Sequence, residues 1–456
     1  MKQFDAIIIG FGKGGKTLAG ALAAAGRKVA LIERSEQMYG GTCINVGCIP
    51  SKSLVHSAAL SAAQGGSFEE RAARYAGAID QKRRLTAMLR KKNFDKLNGD
   101  PNVTVLTGEG SFVGPDRVQV RTEAGSEELQ AEQIFINTGA RPFVPPIEGL
   151  RESRRAYLSE ELLDLDVLPQ RLAIIGGGYI GMEFASIYQN FGSEVTVIQD
   201  QADFLPREDE EIAAAVRQSL EGRGVRLLLS AKIDSVRDEP GQSVLSLQTP
   251  EGKAELAADA ILVATGRRPN VEGLDLDKAG VAFTARGAVQ VDSTLRTSAP
   301  NIWAMGDVAG SLQFTYISLD DYRIVRSQIL GHGERTTENR GAVPYSVFLD
   351  PPFSRVGLSE REAREQGYSL KIARLPAAAI PKAQVLQKTE GLLKAVIDAD
   401  SGKILGAHLF CAESHEMINL IKLAMDAGLP YTHLRDMIFT HPTMSEALGD
   451  LFSTVK

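Results

Sequence analysis

The sequence predicts an α/β protein, and three observations predict it. A short apolar run, residues 4–9, leads into Gly10-Phe11-Gly12-Lys13-Gly14-Gly15. The same arrangement returns 166 residues after Gly10, where Ala173-Ile174-Ile175 leads into Gly176-Gly177-Gly178-Tyr179-Ile180-Gly181. After about Pro344 the pattern changes to α+β, and no third glycine cluster of this kind follows.

The elements can be justified in order. Residues 4–9 suit a buried parallel strand, because strands covered on both faces read as continuous apolar runs. An alanine-rich helix runs to about Ala25, Gly26 ends it, and residues 28–33 form a second strand. In the second copy the helix runs to about Phe191, Gly192 ends it, and residues 194–199 form the strand. One glycine cluster is weak evidence. Two that each follow a strand, open a helix and precede a second strand meet the context of a dinucleotide fingerprint. The glycines let the backbone approach a pyrophosphate at a helix N-terminus, where amide donors and the helix dipole favour anions. Glu33, 23 residues after Gly10, is placed to accept ribose hydroxyl hydrogen bonds.

Two further strands, Ile134–Gly139 and Ile261–Gly266, both end in Thr-Gly and close an insertion. Residues 97–135 and 225–265 read as short alternating strands, and residues 160–169 as a connector. The expected architecture is two Rossmann-like dinucleotide-binding domains plus a C-terminal α+β domain. Residues 1–148 and 267–338 make the first, interrupted by 149–266 as the second, and 339–456 make the third.

The 456 residues are 43% hydrophobic and 24% charged, an ordinary globular composition. A formal charge of −6 and a pI near 5.7 argue against nucleic acid or an anionic membrane as partner. No run reaches the ~18 apolar residues of a membrane span. Residues 1–5 run directly into a strand, leaving no room for a signal peptide. A cytoplasmic protein is expected. Its three cysteines do not make a secreted scaffold, so a disulfide here would be catalytic or redox-sensing.

Cys43 and Cys48 lie in Gly40-Gly41-Thr42-Cys43-Ile44-Asn45-Val46-Gly47-Cys48-Ile49-Pro50-Ser51-Lys52. On an ideal helix, residues five apart are separated by about 7.5 Å along the axis. A disulfide usually needs Cα atoms within roughly 4.4–6.8 Å. A bridge therefore demands a distorted, glycine-relieved first turn. So short a loop gains little entropic stabilisation from closure, which leaves chemistry as its purpose.

The fingerprint, the dicysteine, the second fingerprint and Gly306-Asp307, in that order, resemble the flavoprotein disulfide reductases, the family of lipoamide dehydrogenase, glutathione reductase and mercuric reductase. The likeness spans essentially the whole chain. It implies FAD at the first fingerprint, held by Gly10, Gly12, Gly15, Glu33, Gly41, Thr42, Lys52, Thr138, Gly139 and Asp307. It implies NAD(P)H at the second, with Gly176, Gly178, Gly181, Gln199 and Gly266. It further implies that Cys48 lies against the flavin as the charge-transfer thiolate while Cys43 is the outer thiol that meets substrate. Lys52 and Glu183 would pair beside the flavin. His441 and Glu446 would act as the acid–base pair, reaching the site from the other subunit of a homodimer.

Residues 302–326, 344–357 and 425–446 are similar to the reactive chlorine resistance branch of that family, regarded as copper(II) reductases. Lipoamide dehydrogenases carry a His-x-Ala pattern where this chain has Thr315-Tyr316-Ile317-Ser318, and a Pro-Glu pair where it has Pro351-Pro352. The extra C-terminal cysteine pair of mercuric reductases is absent from residues 451–456. The expected activity is electron transfer from NAD(P)H through flavin and the Cys43–Cys48 disulfide to Cu(II), a metal-ion acceptor, in stress defence. The alternatives are a dihydrolipoamide dehydrogenase or other small-disulfide reductase, and a flavin-binding redox sensor with little turnover. NADH is the expected donor, since Asp200 and Asp203 would repel a 2′-phosphate and no arginine follows before Arg207. Gln199, however, lacks the carboxylate usual in NADH sites. His408, Cys411, His415 and Met417 straddle a strand–helix junction and read as core or interface packing, so no metal site is expected.

Overall fold

The computed structural model describes residues 1–455, which divide into two compact units. The first comprises Met1–Ser53, Ala78–Phe143 and Gly266–Arg340; the second comprises Leu54–Gly77, Val144–Thr265 and the residues from Gly341 onward.

In the first unit a parallel sheet runs in the order Val103–Thr107, Val29–Glu33, Lys2–Ile9, Gly125–Ile136. Ile302–Ala304 adds in parallel to the far end of Gly125–Ile136. The near end of that long strand instead pairs antiparallel with Arg117–Thr122, which pairs with Glu109–Gly114. Ile7 and Ile9 pack into one core while Ala6 and Ile8 pack into another. Burial of both faces is why this strand reads as unbroken apolar sequence.

The second unit repeats the design. Five strands lie parallel in the order Arg226–Leu228, Glu194–Ile198, Arg171–Ile175, Ala260–Val263, Ala156–Leu158. A three-stranded antiparallel sheet, Lys232–Ala258, packs into the same apolar core. The segment expected to be a plain connector opens with one short helix, Ser159–Leu162. The C-terminal part of this unit is a five-stranded antiparallel sheet, with Ile404–Phe410 at its centre between Phe353–Gly357 and Leu392–Asp398 and the helix Ser414–Asp426 against it. Among the described residues no helix is long and apolar enough to cross a membrane.

Candidate functional site

The cysteines occupy two helices, not one. A single turn, Thr42–Asn45, carries Cys43; the chain breaks at Val46 and Gly47, and Cys48 opens the helix Cys48–Gln64. The break relieves the spacing that an unbroken helix would impose. Cys43 and Cys48 are thiols that share a hydrogen bond. That bond, and then burial, push the Cys43 thiol up; the Thr315 hydroxyl and the Lys16 ammonium oppose the rise. Thr315 Oγ1 also lies 3.3 Å from Cys48 Sγ, so one hydroxyl touches both sulfurs. Thr315 opens the helix Thr315–Leu330, where the helix dipole favours negative charge. Next to it, burial and the Cys48 charge raise the Tyr316 phenol.

The residues of the first fingerprint belong to the same unit as this pair. Gly10 adopts φ +111°, and a β-carbon there would fall 2.3 Å from the Asn137 carbonyl oxygen. At Gly15 a β-carbon would fall 2.3 Å from the Gly10 carbonyl oxygen. Asn137 locks the loop: its Oδ1 accepts from Gly15 N at 2.8 Å and its Nδ2 donates to the Met305 carbonyl at 2.7 Å. Glu33 Oε2 accepts from Phe11 N at 3.0 Å; burial raises the carboxyl, against that bond. Gly41 packs so closely on Gly12 that a β-carbon would lie 2.6 Å from Gly12 Cα. Exposed Thr42 follows it. Thr138 Oγ1 donates to the Asn270 carbonyl at 2.7 Å, and the space beside Gly139 is open. Burial raises the Asp307 carboxyl, while the charge of Arg267 opposes this. Lys52 Nζ donates to Ser51 Oγ at 3.3 Å.

In the second unit Gly176 has φ +108°, and a β-carbon would meet the Ala264 carbonyl oxygen at 2.5 Å; one at Gly181 would meet the Gly176 oxygen at 2.1 Å. The space beside Gly178 is open. Gln199 folds over the loop, its Oε1 lying where a β-carbon on Gly177 would approach within 2.1 Å. Its Nε2 donates to the Asp203 carbonyl at 2.8 Å. Glu183 Oε1 accepts from Phe348 N at 2.9 Å. Gly266 belongs to the first unit, accepting from Phe143 N at 2.9 Å.

These features fit two dinucleotides. Gly12 and Gly178 are the N-caps of their helices, and neither supplies a side-chain cap. The first-turn amides are thereby left for an anion. A buried carboxyl at Glu33 suits a ribose diol. The Gly139 and Gly178 backbones leave room for a ligand to lie against them.

His441 Nδ1 lies 2.8 Å from Glu446 Oε2, and the other carboxylate oxygen accepts from Thr443 N at 3.0 Å. The His441 bond holds Glu446 below the usual carboxylate range. With Glu446 ionised, Nδ1 is the nitrogen that donates to the carboxylate, and Nε2 is the ring nitrogen left outside this hydrogen bond. The ring is 70% exposed. His408 and Cys411 belong elsewhere. His408 is fully buried with Nε2 3.1 Å from the Leu358 carbonyl, and Cys411 Sγ contacts Met417 Sδ at 3.9 Å in the apolar core. Burial holds His408 down to about 4 and pushes Cys411 up to about 12. Among the described residues no group of three or more His, Cys, Asp and Glu side chains converges as a metal set.

Sequence reasoning did not single out Asn137, Lys16 or the Thr315 hydroxyl as parts of this site. Asn137 immediately precedes the Thr-Gly strand end and Lys16 follows the first fingerprint. Those adjacencies were the available signals.

Comparison with known proteins agrees with this geometry. Residues 4–321 match the pyridine nucleotide-disulphide oxidoreductase family, and residues 343–452 match its dimerisation domain. The chain is 50% identical, over the whole of both chains, to the probable pyridine nucleotide-disulfide oxidoreductase RclA of Escherichia coli. A Cu(II) complex of that protein, described as an HOCl-induced flavoprotein disulfide reductase, superposes over the whole of both chains with a TM-score of 0.95. A mercuric reductase of Staphylococcus aureus is 34% identical, covering 98% of this chain and 81% of the relative. The chain belongs to the pyridine nucleotide-disulfide oxidoreductases, as a flavoprotein with a C-terminal dimerisation domain.

Proposed function

We propose that this protein is a cytoplasmic, homodimeric reductase that takes electrons from NAD(P)H, with NADH preferred, and delivers them through Cys43 and Cys48 to Cu(II). FAD, when bound, supplies the relay between nicotinamide and sulfur. Gly10, Gly12, Gly15, Glu33, Gly41, Thr42, Thr138, Gly139 and Asp307 would hold it. Gly176, Gly178, Gly181, Gln199 and Gly266 would serve NAD(P)H. Residues 1–148 with 267–338, 149–266 and 339–456 are the corresponding domains.

The dithiol carries the reading. Cys43 and Cys48 share a hydrogen bond beside the Thr315 hydroxyl, in a chain 50% identical end to end to a flavoprotein solved with Cu(II). In the acceptor step the two thiols form one S–S bond and release two protons, and their two electrons reduce two Cu(II) to two Cu(I). Thr315 steadies whichever sulfur bears charge, because a hydrogen bond to a thiolate favours it. Lys52 and Glu183 would pair beside the flavin ring, as in the family the chain resembles.

His441 and Glu446 favour a second reading, reduction of a small disulfide, because thiol exchange needs a base more than metal reduction does. Ile438, 96% exposed, and Met437, 41% exposed, lie just before His441 and support a subunit contact there.

The test is anaerobic NADH oxidation with Cu(II), lipoamide or glutathione disulfide as acceptor, the Cu(I) product being trapped by a selective chelator. Fast Cu(I) formation that is lost in Cys43→Ser, with flavin retained, is expected. Fast lipoamide turnover with little Cu(I) would replace this reading with the second.

A further inference from the structure

Lys13 and Lys16 sit three residues apart on the first turn of the helix Lys13–Ala24, and residues so spaced share a face. The same turn abuts the loop before Cys43 through the close Gly41–Gly12 contact. Lys16 Nζ donates to the Gly40 carbonyl at 3.2 Å, three residues before Cys43. Gly40 in turn lies against Asn93 of the helix Phe68–Asn98, which also carries Lys96. Among the described residues no carboxylate pairs with Lys13 or Lys16, and Asp95 on that helix is taken by Lys91 at 2.6 Å. A partly buried lysine that rests only on a carbonyl gains little from its charge.

We infer that Lys13 and Lys16 give the approach to Cys43 a positive potential that selects electron acceptors by charge, favouring anions. The inference rests on the reading of Cys43 as the outer, acceptor-facing thiol. Its consequence for copper is that Cu(II) arrives as a neutral or anionic complex and not as the aqua dication. The charges facing Lys16 are Lys13 on its own helix, Lys96 on the neighbouring helix and Cys43 itself; in the holoenzyme the FAD diphosphate at the first-turn amides would add a negative charge on the same turn. Burial, Lys13 and Lys96 together bring Lys16 down to about 8, while Cys43 pulls it up. The selection therefore weakens as pH rises through about 8 and Lys16 loses its proton.

The test uses NADH-reduced holoenzyme and two methanethiosulfonate reagents of matched size, one anionic and one cationic. Labelling rates at Cys43 are read by mass spectrometry of its peptide. The anionic-to-cationic rate ratio should fall roughly three- to ten-fold in Lys16→Gln, and further in the Lys13→Gln/Lys16→Gln double variant. Molar salt should compress the wild-type ratio towards that of the double variant. Lys16→Arg should keep the ratio and remove its decline near pH 8, since a guanidinium stays charged. An unchanged ratio in the double variant overturns the inference, as does a loss in Lys16→Arg equal to that in Lys16→Gln. Flavin loss with an unchanged ratio would assign the lysines to the cofactor instead. Failure of the underlying reading looks different: Cys43→Ser would retain full turnover, whatever the labelling ratio.

Discussion

In the first fingerprint, Gly10 at φ +111° lies against the Asn137 carbonyl; in the second, Gly176 at φ +108° lies against the Ala264 carbonyl. These two φ angles agree to within a few degrees. The side chains at the end of the next strand do not. Glu33 reaches back to the Phe11 amide with a buried carboxyl, whereas Gln199 folds over Gly177 and ties itself to the Asp203 carbonyl. Phe11 is itself fully buried against Tyr39, while Gly177 has no side chain and so admits the Gln199 amide. One loop geometry thus recurs in the two units, and the side chains at the end of the next strand, Glu33 and Gln199, set the two copies apart.

The most severe way to break the comparison is to fill each loop. Gly10→Val places branched carbon where the Asn137 carbonyl sits, and Gly176→Val does the same at Ala264. The first variant is expected to purify without flavin. The second should keep its flavin absorbance while NADH-driven reduction of the flavin slows by at least about 100-fold, as displaced binding groups commonly cost. Stopped-flow absorbance on both proteins reads this directly. Flavin loss in both variants would mean that the two loops are coupled and do not act as separate sites.

A gentler change sharpens the comparison. Gln199→Glu gives the second copy the acidic group of the first. A carboxylate accepting a ribose hydroxyl adds about 1.5 kcal/mol, roughly ten-fold in affinity. The ratio of kcat/KM for NADH over NADPH should rise by that factor, because the new charge also repels a 2′-phosphate. If the Asp203 tether holds the new side chain away from the nucleotide, the ratio stays flat and Gln199 is a loop brace.

How far the sequence disclosed the site follows the same division. The loops were legible because each needs glycine at fixed spacing next to a strand and a helix, which is local information. A distortion of the first helical turn was legible, since i and i+5 cannot bridge on an unbroken helix. Its cause, a break at Val46–Gly47, was not. Asn137 was hidden for a different reason. Its amide joins Gly15 to Met305, partners 122 and 168 residues away, and no local pattern reports contacts of that range. The Thr315 hydroxyl, 267 residues from Cys48, was hidden in the same way. His441 and Glu446 were easier, because their hydrogen bond spans only five residues.

The smallest expected effect lies where the two helices end. Gly26 follows the first helix at φ +79° with nothing within 4 Å of an added β-carbon, while Gly192 caps the second at φ +100° with Arg71 Cδ 2.9 Å away. Both sit in the left-handed region, so Gly→Ala costs each about 1 kcal/mol for conformation alone. At Gly192 the alanine methyl must also displace the Arg71 side chain. Gly26→Ala should therefore lower stability by about 1 kcal/mol and Gly192→Ala by about 2 kcal/mol, read from urea midpoints. Adding Arg71→Ala to Gly192→Ala removes the obstruction and leaves the backbone term. The double variant should then lose no more, relative to Arg71→Ala, than Gly26→Ala loses relative to the native chain. Equal losses at Gly26 and Gly192 in otherwise native protein would show that the Arg71 side chain yields freely. The two helix ends would then be as alike as the two loops that begin them.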